Sequence, residues 1–304
     1  MTIAFIHPYK AFLPEITAYC AFFNRYDIQT LVPAPEEAGS LHPDVEWYFM
    51  GRGGKKKKNG ITIHEYSSAS TPPLSPLKNI IKRSVTSRPD YRLFQNEYVR
   101  NSFRFRDNIP FGIRQHGMTP LPASLSGNRV KSYDFIYVGT VDKTRKLDKF
   151  FKHFISGPLR DHTLLVLSKD YQDLEKDLGY PGNIHFKGPV SPADVSGYIL
   201  QASYGINFIP DRPPFNRQPS GKLLDYAACG TPVITTDYAW IHDFQKEAGG
   251  SYYYLRQDLS NFLWEEIVRF DYHSPDLTGW TWEEQIRQSG VLPFLQSKFA
   301  GLHF

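Results

Sequence analysis

Residues 219–234 read PSGKLLDYAACGTPVI, which predicts a loop, a short helix, a glycine stop and a buried strand. Because this helix opens after Pro-Ser-Gly, its first backbone N–H groups lack partners within the helix and point into the preceding loop. Such a terminus favours a phosphate, through free donors and the positive end of the helix dipole. Lys222 adds a positive charge, and Asp225, one turn after Gly221, can accept hydrogen bonds from a sugar diol. This combination fits a nucleotide sugar.

Residues 222–234, spelled Lys-x-x-Asp-Tyr-x-Ala-x-Gly-x-Pro-Val-Ile, also resemble a family signature. They look like the donor site of the GT-B glycosyltransferases, in the large, mostly retaining group that uses nucleotide-activated sugars. The alternative is an ordinary helix-to-strand joint in another kind of α/β protein.

Composition allows two domains with their own cores in a chain of 304 residues. No apolar run reaches the length of a transmembrane helix, and the first residues, MTIAFIH, read as a core strand rather than a signal peptide. Cys20 and Cys229 lie far apart in apolar surroundings, which suits buried thiols in a reducing compartment. We therefore expect a cytoplasmic protein.

The net charge of +4 is mild, but the positive charge is locally concentrated. Residues 55–58 are four lysines, and Lys78, Lys82, Arg83 and Arg88 follow, near Ile80, Ile81 and Val85. Such a patch can meet an anionic lipid or glycan, and we predict peripheral contact with the anionic inner face of a membrane. A merely solvated basic face is the alternative. Nucleic acid is not expected, because no motif for binding it accompanies the charge.

Alternating apolar runs and helical periodicity predict a parallel, doubly wound sheet in each half of the chain. We predict N-terminal strands at 3–6, 28–32, 47–50, 61–64, 91–94 and 110–113, with helices around 15–23 and 77–84. We predict C-terminal strands at 135–138, 164–167, 184–186, 206–209, 233–234 and 252–255. A further helix is expected from Pro192 to Ala202, with Ser191 as its N-cap.

Four shorter segments strengthen the resemblance, which extends over most of the chain. It is specific in the C-terminal half, whereas the N-terminal half matches only in layout. The segments are 134–139 (a strand opening the donor domain), 183–190 (a base-binding strand and loop), 115–118 (a hinge turn) and 279–282 (the start of the returning helix). The resemblance implies the GT-B fold: two Rossmann-like doubly wound domains facing a cleft, with a C-terminal helix crossing back. It implies an acceptor domain at 1–118 with 283–304, a linker at 119–132 and a donor domain at 133–282.

The resemblance also implies the residues of the donor site. Family members place cations near the turn after the first donor-domain strand, where this chain has Lys143, Arg145 and Lys146. Gly188 and Val190 would contact the base, Ser220, Gly221 and Lys222 the diphosphate, and Asp225 the ribose. Preorganised cations stabilise a diphosphate leaving group without a metal, and the chain contains no Asp-x-Asp. We expect neither a metal nor a cofactor besides the nucleotide-sugar co-substrate.

Two further positions are candidates for catalysis. The family usually has a Glu eight residues before the ribose-binding acid, where this chain has Arg217. This reversal of charge has four interpretations. Arg217 could bind the carboxylate of a donor such as a uronic acid, or Asp211 could take the place of the missing acid. Alternatively, the protein has lost activity, or Arg217 simply faces solvent. His64 is predicted to end a strand at the cleft, as a family histidine does, where an imidazole positions a sugar hydroxyl. His7 ends the first strand by the same logic.

Three functions remain open from the sequence. The first is a metal-independent glycosyltransferase, retaining by family resemblance, that acts on a hydroxyl of a glycan or lipid-linked acceptor. The second is a non-catalytic nucleotide- or glycan-binding subunit of a glycosyltransferase complex. The third is a nucleotide-sugar epimerase on the same fold.

Overall fold

The chain forms two units, and each is built around its own parallel sheet. The computed structural model describes residues 1–8, 13–34, 36–49, 60–125, 127, 130–141, 145 and 147–304. One unit comprises Met1–Gly117 and Gly279–Phe304, and the other comprises Met118–Thr278. Across the described residues, no helix is long and apolar enough to cross a membrane.

Strands and helices alternate along both units, as expected of doubly wound sheets. The strands are β1 (Thr2–Ile6), β2 (Gln29–Leu31), β3 (Val45–Phe49), β4 (Ile61–Tyr66), β5 (Tyr91–Phe94), β6 (Phe111–Ile113), β7 (Tyr133–Val138), β8 (Leu164–Leu167), β9 (Ile184–Lys187), β10 (Ala202–Asn207), β11 (Val233–Thr236) and β12 (Tyr253–Leu255). The helices are α1 (Pro14–Asn24), α2 (Ser75–Val85), α3 (Glu97–Phe103), α4 (Asp148–Ile155), α5 (Gln172–Asp177), α6 (Val195–Ile199), α7 (Gly221–Ala228), α8 (Ala239–Ala248), α9 (Trp264–Arg269), α10 (Trp282–Gln288) and α11 (Val291–Lys298).

The sheet of the first unit has the order β2-β1-β3-β4-β5-β6, with every neighbouring pair parallel. Its core is aromatic: Trp47 on the buried strand β3 packs against Phe5 and Tyr19, with ring centroids 5.4 and 4.5 Å apart. The C-terminal helices complete this core, since Ile286 and Leu295 are buried within it. The last segment of the chain therefore returns to the first unit.

The sheet of the second unit has the order β12-β11-β10-β7-β8-β9, again with parallel neighbours. The neighbouring strands β7 and β10 lie in its centre, and the chain crosses from the edge strand β9 back to β10. Helix α4 buries Phe150 and Phe154 against Phe135 of β7 and against Phe262. This phenylalanine spacing is the helical periodicity that the sequence displays.

The strand β10 and the helix α6 differ most from the prediction. The strand expected at 206–209 is Ala202–Asn207, because it pairs on both sides, and sheet pairing overrides the weak strand propensity of Gly205. The helix expected from Pro192 is only Val195–Ile199, and Ser191 is not its N-cap, because a turn occupies the residues before Asp194. Helix propensity is a weak guide in so short a segment.

Candidate active site

The amino terminus of α7 lies at the carboxyl end of β10. The buried Ser220 precedes α7, and its Oγ donates a hydrogen bond to Oδ1 of Asn207, the last residue of β10 (2.7 Å). The Ser220 side chain therefore holds the helix to the sheet and does not cap it. Without a side-chain cap, the first N–H groups of α7 keep their capacity to bind an anion.

Tyr226 fixes the orientation of α7 against the sheet. Its hydroxyl accepts a hydrogen bond from the backbone N–H of Val138 at the end of β7 (2.9 Å). Its ring covers Gly205 in β10, where an added Cβ would lie 2.4 Å from the ring. Only glycine fits beneath this ring, so Gly205 allows the close approach that directs the start of α7 towards the end of β7.

Lys222 lies over the turn that follows β7. Its Nζ is 4.0 Å from the ring centroid of Tyr137, and an added Cβ on Gly139 would come within 3.4 Å of that Nζ. Burial lowers the pKa of Lys222 well below its usual value, and the charge of Arg145 lowers it further. An anion bound here would favour the charged ammonium, because an opposite charge raises the pKa of a lysine.

A second cation belongs to the same turn. The guanidinium of Arg145 lies over the ring of Phe215 at 5.1 Å from its centroid, and Arg212 lies over the same ring at 5.5 Å. Phe215 opens the 3₁₀ turn Phe215–Arg217 in the loop that follows β10. The two predicted lysines, Lys143 and Lys146, lie outside the described residues. Arg145 and Lys222 thus bring two cations to the carboxyl ends of β7 and β10.

Asp225 is half-buried one turn into α7. Within the described part of the chain, no hydrogen bond to its carboxylate is formed. Burial raises the pKa of Asp225 to about 7. A carboxylate that is desolvated and lacks a hydrogen-bond donor in the protein is suited to accept hydrogen bonds from the hydroxyl groups of a ligand.

The predicted base-binding residues follow an edge strand of this sheet. Gly188 and Val190 follow β9, and β8 separates β9 from β7. They share the carboxyl end of the sheet with the α7 terminus, which is where ligands bind in open α/β sheets.

A cavity of about 900 Å³ opens beside the loop that follows β10. Its lining includes Asp211, the exposed Arg217 and Arg256. Asp237 and His242 also line it, and the Oδ1 and Nε2 atoms of this pair are 2.6 Å apart. Charged side chains of both signs therefore line this cavity. Among the described residues, no group of three or more His, Cys, Asp or Glu could hold a metal ion.

Comparisons with known proteins identify the architecture. No protein-family model matches the sequence, and no curated protein matches it either. The structure resembles AviGT4, a glycosyltransferase involved in avilamycin A biosynthesis, with a TM-score of 0.56 and 11% identity over 98% of this chain and 96% of that one. It resembles the Methanocaldococcus jannaschii UDP-GlcNAc 2-epimerase in complex with UDP-GlcNAc and UDP, with a TM-score of 0.57 and 12% identity over 97% and 100%. It also resembles the sucrose-phosphate synthase from Thermosynechococcus elongatus, with a TM-score of 0.51 and 11% identity over 80% of this chain and 83% of that one.

The chain has the GT-B fold. The predicted fold class is thereby confirmed, since the two six-stranded parallel sheets and their helices match the layout of these neighbours. In this GT-B chain, the stretch 219–234 is the loop, helix and strand that the sequence predicts, with the helix at Gly221–Ala228 and the strand at Val233–Thr236.

The predicted position of His64 is wrong. Strand β4 continues two residues further, to Tyr66, so His64 lies within it and is fully buried. Its ring packs between those of Tyr48 and Tyr66, at 5.9 and 6.5 Å, and neither ring nitrogen has a hydrogen-bond partner among the residues that the structure describes. Burial lowers the pKa of His64 to about 4, with a contribution from Arg92. A buried neutral imidazole here cannot reach a sugar hydroxyl without rearrangement.

The sequence analysis missed a buried polar network beneath the α7 terminus of this GT-B unit. Asn207 Nδ2 donates to Thr235 Oγ1 (2.9 Å) and to the hydroxyl of Tyr238 (3.1 Å), while its Oδ1 accepts from Ser220. All four side chains are buried. The available signal was an asparagine inside the apolar run 206–209, because a buried amide requires partners.

Proposed function

We propose that this protein is a glycosyltransferase that moves a sugar from a nucleotide diphosphate to a hydroxyl group of a glycan or lipid-linked acceptor. One observation carries the proposal: in a GT-B fold, Lys222 and the uncapped terminus of α7 lie together at the carboxyl end of β7. The UDP-GlcNAc and UDP bound by the structurally similar epimerase support a nucleotide-sugar ligand.

The chemistry proposed for this site is stabilisation of the leaving diphosphate. Negative charge builds on the diphosphate as the bond from the sugar carbon to its oxygen breaks. Lys222, Arg145 and the N–H groups of α7 would stabilise that charge without a metal, because they are held in place before the reaction. Retention of configuration at the sugar carbon is part of the proposal and follows from the family resemblance alone.

The transferred sugar is proposed to occupy the space beside Arg217. An arginine at this place can hold a sugar carboxylate with two parallel hydrogen bonds. Asp211 lines the same cavity and accepts a hydrogen bond from Asn216 (2.8 Å), so it could instead bind the hydroxyls of a neutral sugar. A uronic-acid donor that binds more tightly than its neutral hexose counterpart would favour Arg217 as the sugar-binding group.

The experiment is a thermal-shift screen of nucleoside diphosphates, neutral nucleotide sugars and nucleotide uronic acids, followed by a hydrolysis assay of every ligand that binds. A ligand at 100 times its dissociation constant should add about 2.7 kcal/mol to the free energy of unfolding. We expect a nucleotide sugar to bind and to release its nucleoside diphosphate slowly in water. Absence of any shift across the whole set would contradict the proposal.

A nucleotide-sugar epimerase is the second candidate, favoured by the likeness to the Methanocaldococcus jannaschii epimerase over 97% of this chain and 100% of that one. Asp211, Asp237 and His242 in the cavity are groups that could exchange protons with a sugar ring. An epimerase converts its substrate without an acceptor, so product analysis by NMR separates it from a transferase. A non-catalytic binding subunit would bind the nucleotide sugar and leave it intact.

Replacing Asp225 by asparagine is expected to weaken nucleoside diphosphate binding about tenfold or more, while the protein stays folded. A carboxylate can accept from both ribose hydroxyls, whereas an amide oxygen accepts on one side only, and a hydrogen bond to a charged group contributes roughly 1.5–3 kcal/mol. Because the pKa of Asp225 is about 7, ligand hydroxyls that favour the carboxylate should bind more tightly as the pH rises through 7.

Calorimetric titrations on either side of pH 7 test this expectation, with the wild type and the Asp225→Asn variant side by side. The variant should lose the rise of affinity with pH, and the wild type should prefer the ribose form to the 2′-deoxy form. Equal affinity of the wild type for both forms would remove Asp225 from the ribose site.

A further inference from the structure

Helix α2 of the first unit is amphipathic, but its polar face is buried and its apolar face is exposed. Its buried side chain is polar: Asn79 is 3% exposed, and its Oδ1 accepts a hydrogen bond from the backbone of Ser70 (3.0 Å). Arg83, one turn later, donates to the backbone carbonyls of Phe103 and Arg104. The helix is therefore attached to the unit through polar contacts, and these leave its apolar side chains on the outside.

The apolar side chains form one stripe. Leu77, Ile81 and Val85 are 50%, 52% and 75% exposed, and they recur at intervals of four residues. At about 100° per residue, this stripe lies roughly opposite Asn79 and Arg83. Among the described residues, eleven large apolar side chains are exposed, and five of them fall within 74–85, so the exposure is concentrated rather than scattered.

The charged residues of the segment that carries the stripe all have one sign. Residues 67–89 contain Lys78, Lys82, Arg83 and Arg88 and no Asp or Glu. The lysines Lys78 and Lys82 follow Leu77 and Ile81 directly, so they lie along one side of the stripe. An apolar stripe edged by basic residues, on a helix whose remaining positions are mostly polar, is the pattern of a helix that lies in a membrane interface.

We propose that α2 binds the surface of an anionic lipid bilayer, with Leu77, Ile81 and Val85 inserted among the acyl chains and the lysines at the headgroups. A second copy of the chain is a poorer occupant, because a symmetric contact through this face would oppose two clusters of like charge. A protein partner is also less suited, since the stripe lacks the aromatic side chains that dominate protein interfaces. This inference rests on the surface of α2 and does not depend on the proposed glycosyl transfer.

Flotation with vesicles tests the proposal, using mixtures of phosphatidylglycerol and phosphatidylcholine against phosphatidylcholine alone. We expect binding to the anionic vesicles at low salt and weaker binding at high salt. Ile81→Glu should reduce the partition coefficient at least tenfold, and Lys78→Gln should reduce it about fivefold, the effect of about 1 kcal/mol per basic residue. The matched control is Val268→Glu on α9, which replaces a valine that is 45% exposed outside the patch and should bind like the wild type.

Several outcomes would overturn the proposal. They are no binding to anionic vesicles at low salt, equal binding by Ile81→Glu and the wild type, or equal loss in Val268→Glu. Sedimentation velocity provides a further test. A wild-type dimer that is absent in Ile81→Glu would show that this face binds a second copy of the chain instead of a membrane. Matching thermal midpoints for the variants and the wild type establish that folding is unchanged. Because nucleotide binding is measured without lipid, either proposal can fail while the other stands.

Discussion

Replacing Lys222 by alanine is expected to weaken nucleoside diphosphate binding by about 1.5–3 kcal/mol, roughly ten- to hundredfold in the dissociation constant. The ammonium of Lys222 lies over Tyr137 beside Gly139, where it would meet the phosphates as a charged hydrogen-bond donor. The free lysine is desolvated and has a lowered pKa, so binding an anion should raise that pKa and take up protons. The contribution of Lys222 to the affinity should accordingly fall as the pH rises through the pKa of the free lysine, opposite in sign to the contribution expected from Asp225.

Isothermal titration calorimetry in two buffers of different ionisation enthalpy measures the dissociation constant and the number of protons taken up on binding. Lys222→Ala should lose this proton uptake. If Lys222 had only a structural role, its replacement would leave the proton uptake unchanged. Lys298→Ala is the matched control, because Lys298 also lies over an aromatic ring, that of Phe294 (5.6 Å), but on α11 of the other unit. Unchanged affinity in a folded Lys222→Ala variant would exclude this end of α7 from the donor site.

Replacing Arg114 by leucine is expected to destabilise the first unit by about 3–5 kcal/mol, since removing one partner leaves buried charges unpaired. Arg114 is 1% exposed and donates from Nε to Oε1 of Glu65 (2.9 Å), and its Nη2 contacts both Glu65 and, at 3.4 Å, Glu15. Trp47 Nε1 also donates to Glu65 (2.8 Å). Burial raises the pKa of Glu65, and the Arg114 guanidinium opposes that rise, so its loss would force Glu65 to bind a proton or remain an unpaired charge.

Urea unfolding followed by tryptophan fluorescence measures the loss, because Trp47 lies directly against the ion pair. The matched control is Arg25→Leu, which breaks the exposed pair between Arg25 and Glu283 (2.8 Å) and should cost at most about 1 kcal/mol. The double variant Arg114→Leu with Glu65→Leu should regain part of the stability, since an apolar pair of similar volume replaces the charges. Equal losses for Arg114→Leu and Arg25→Leu would show that the buried pair contributes little.

Local sequence patterns predicted a helix or strand correctly where its own residues, rather than pairing with neighbouring strands, determine its extent. The phenylalanine periodicity of α4 and the apolar strand β8 formed as expected, because the phenylalanine spacing fits a helix and the apolar run of β8 is too short for one. The prediction failed at β10 and at β4. Gly205 and His64 read locally as strand breakers or strand ends, yet neighbouring strands extend the pairing through or beyond both positions.

By itself, the sequence determined the doubly wound α/β class, the extent of α7 and the basic segment around α2 that lacks Asp and Glu, because these depend on residue type and short-range spacing. Only the tertiary structure decided which side chains meet. It turned Ser220 away from its own helix towards Asn207, brought Lys222 over Gly139, and paired Arg114 with Glu65 across β5. The members of each pair are far apart in sequence, and their contact depends on strand order and on how closely a helix can approach a glycine. No local pattern records either.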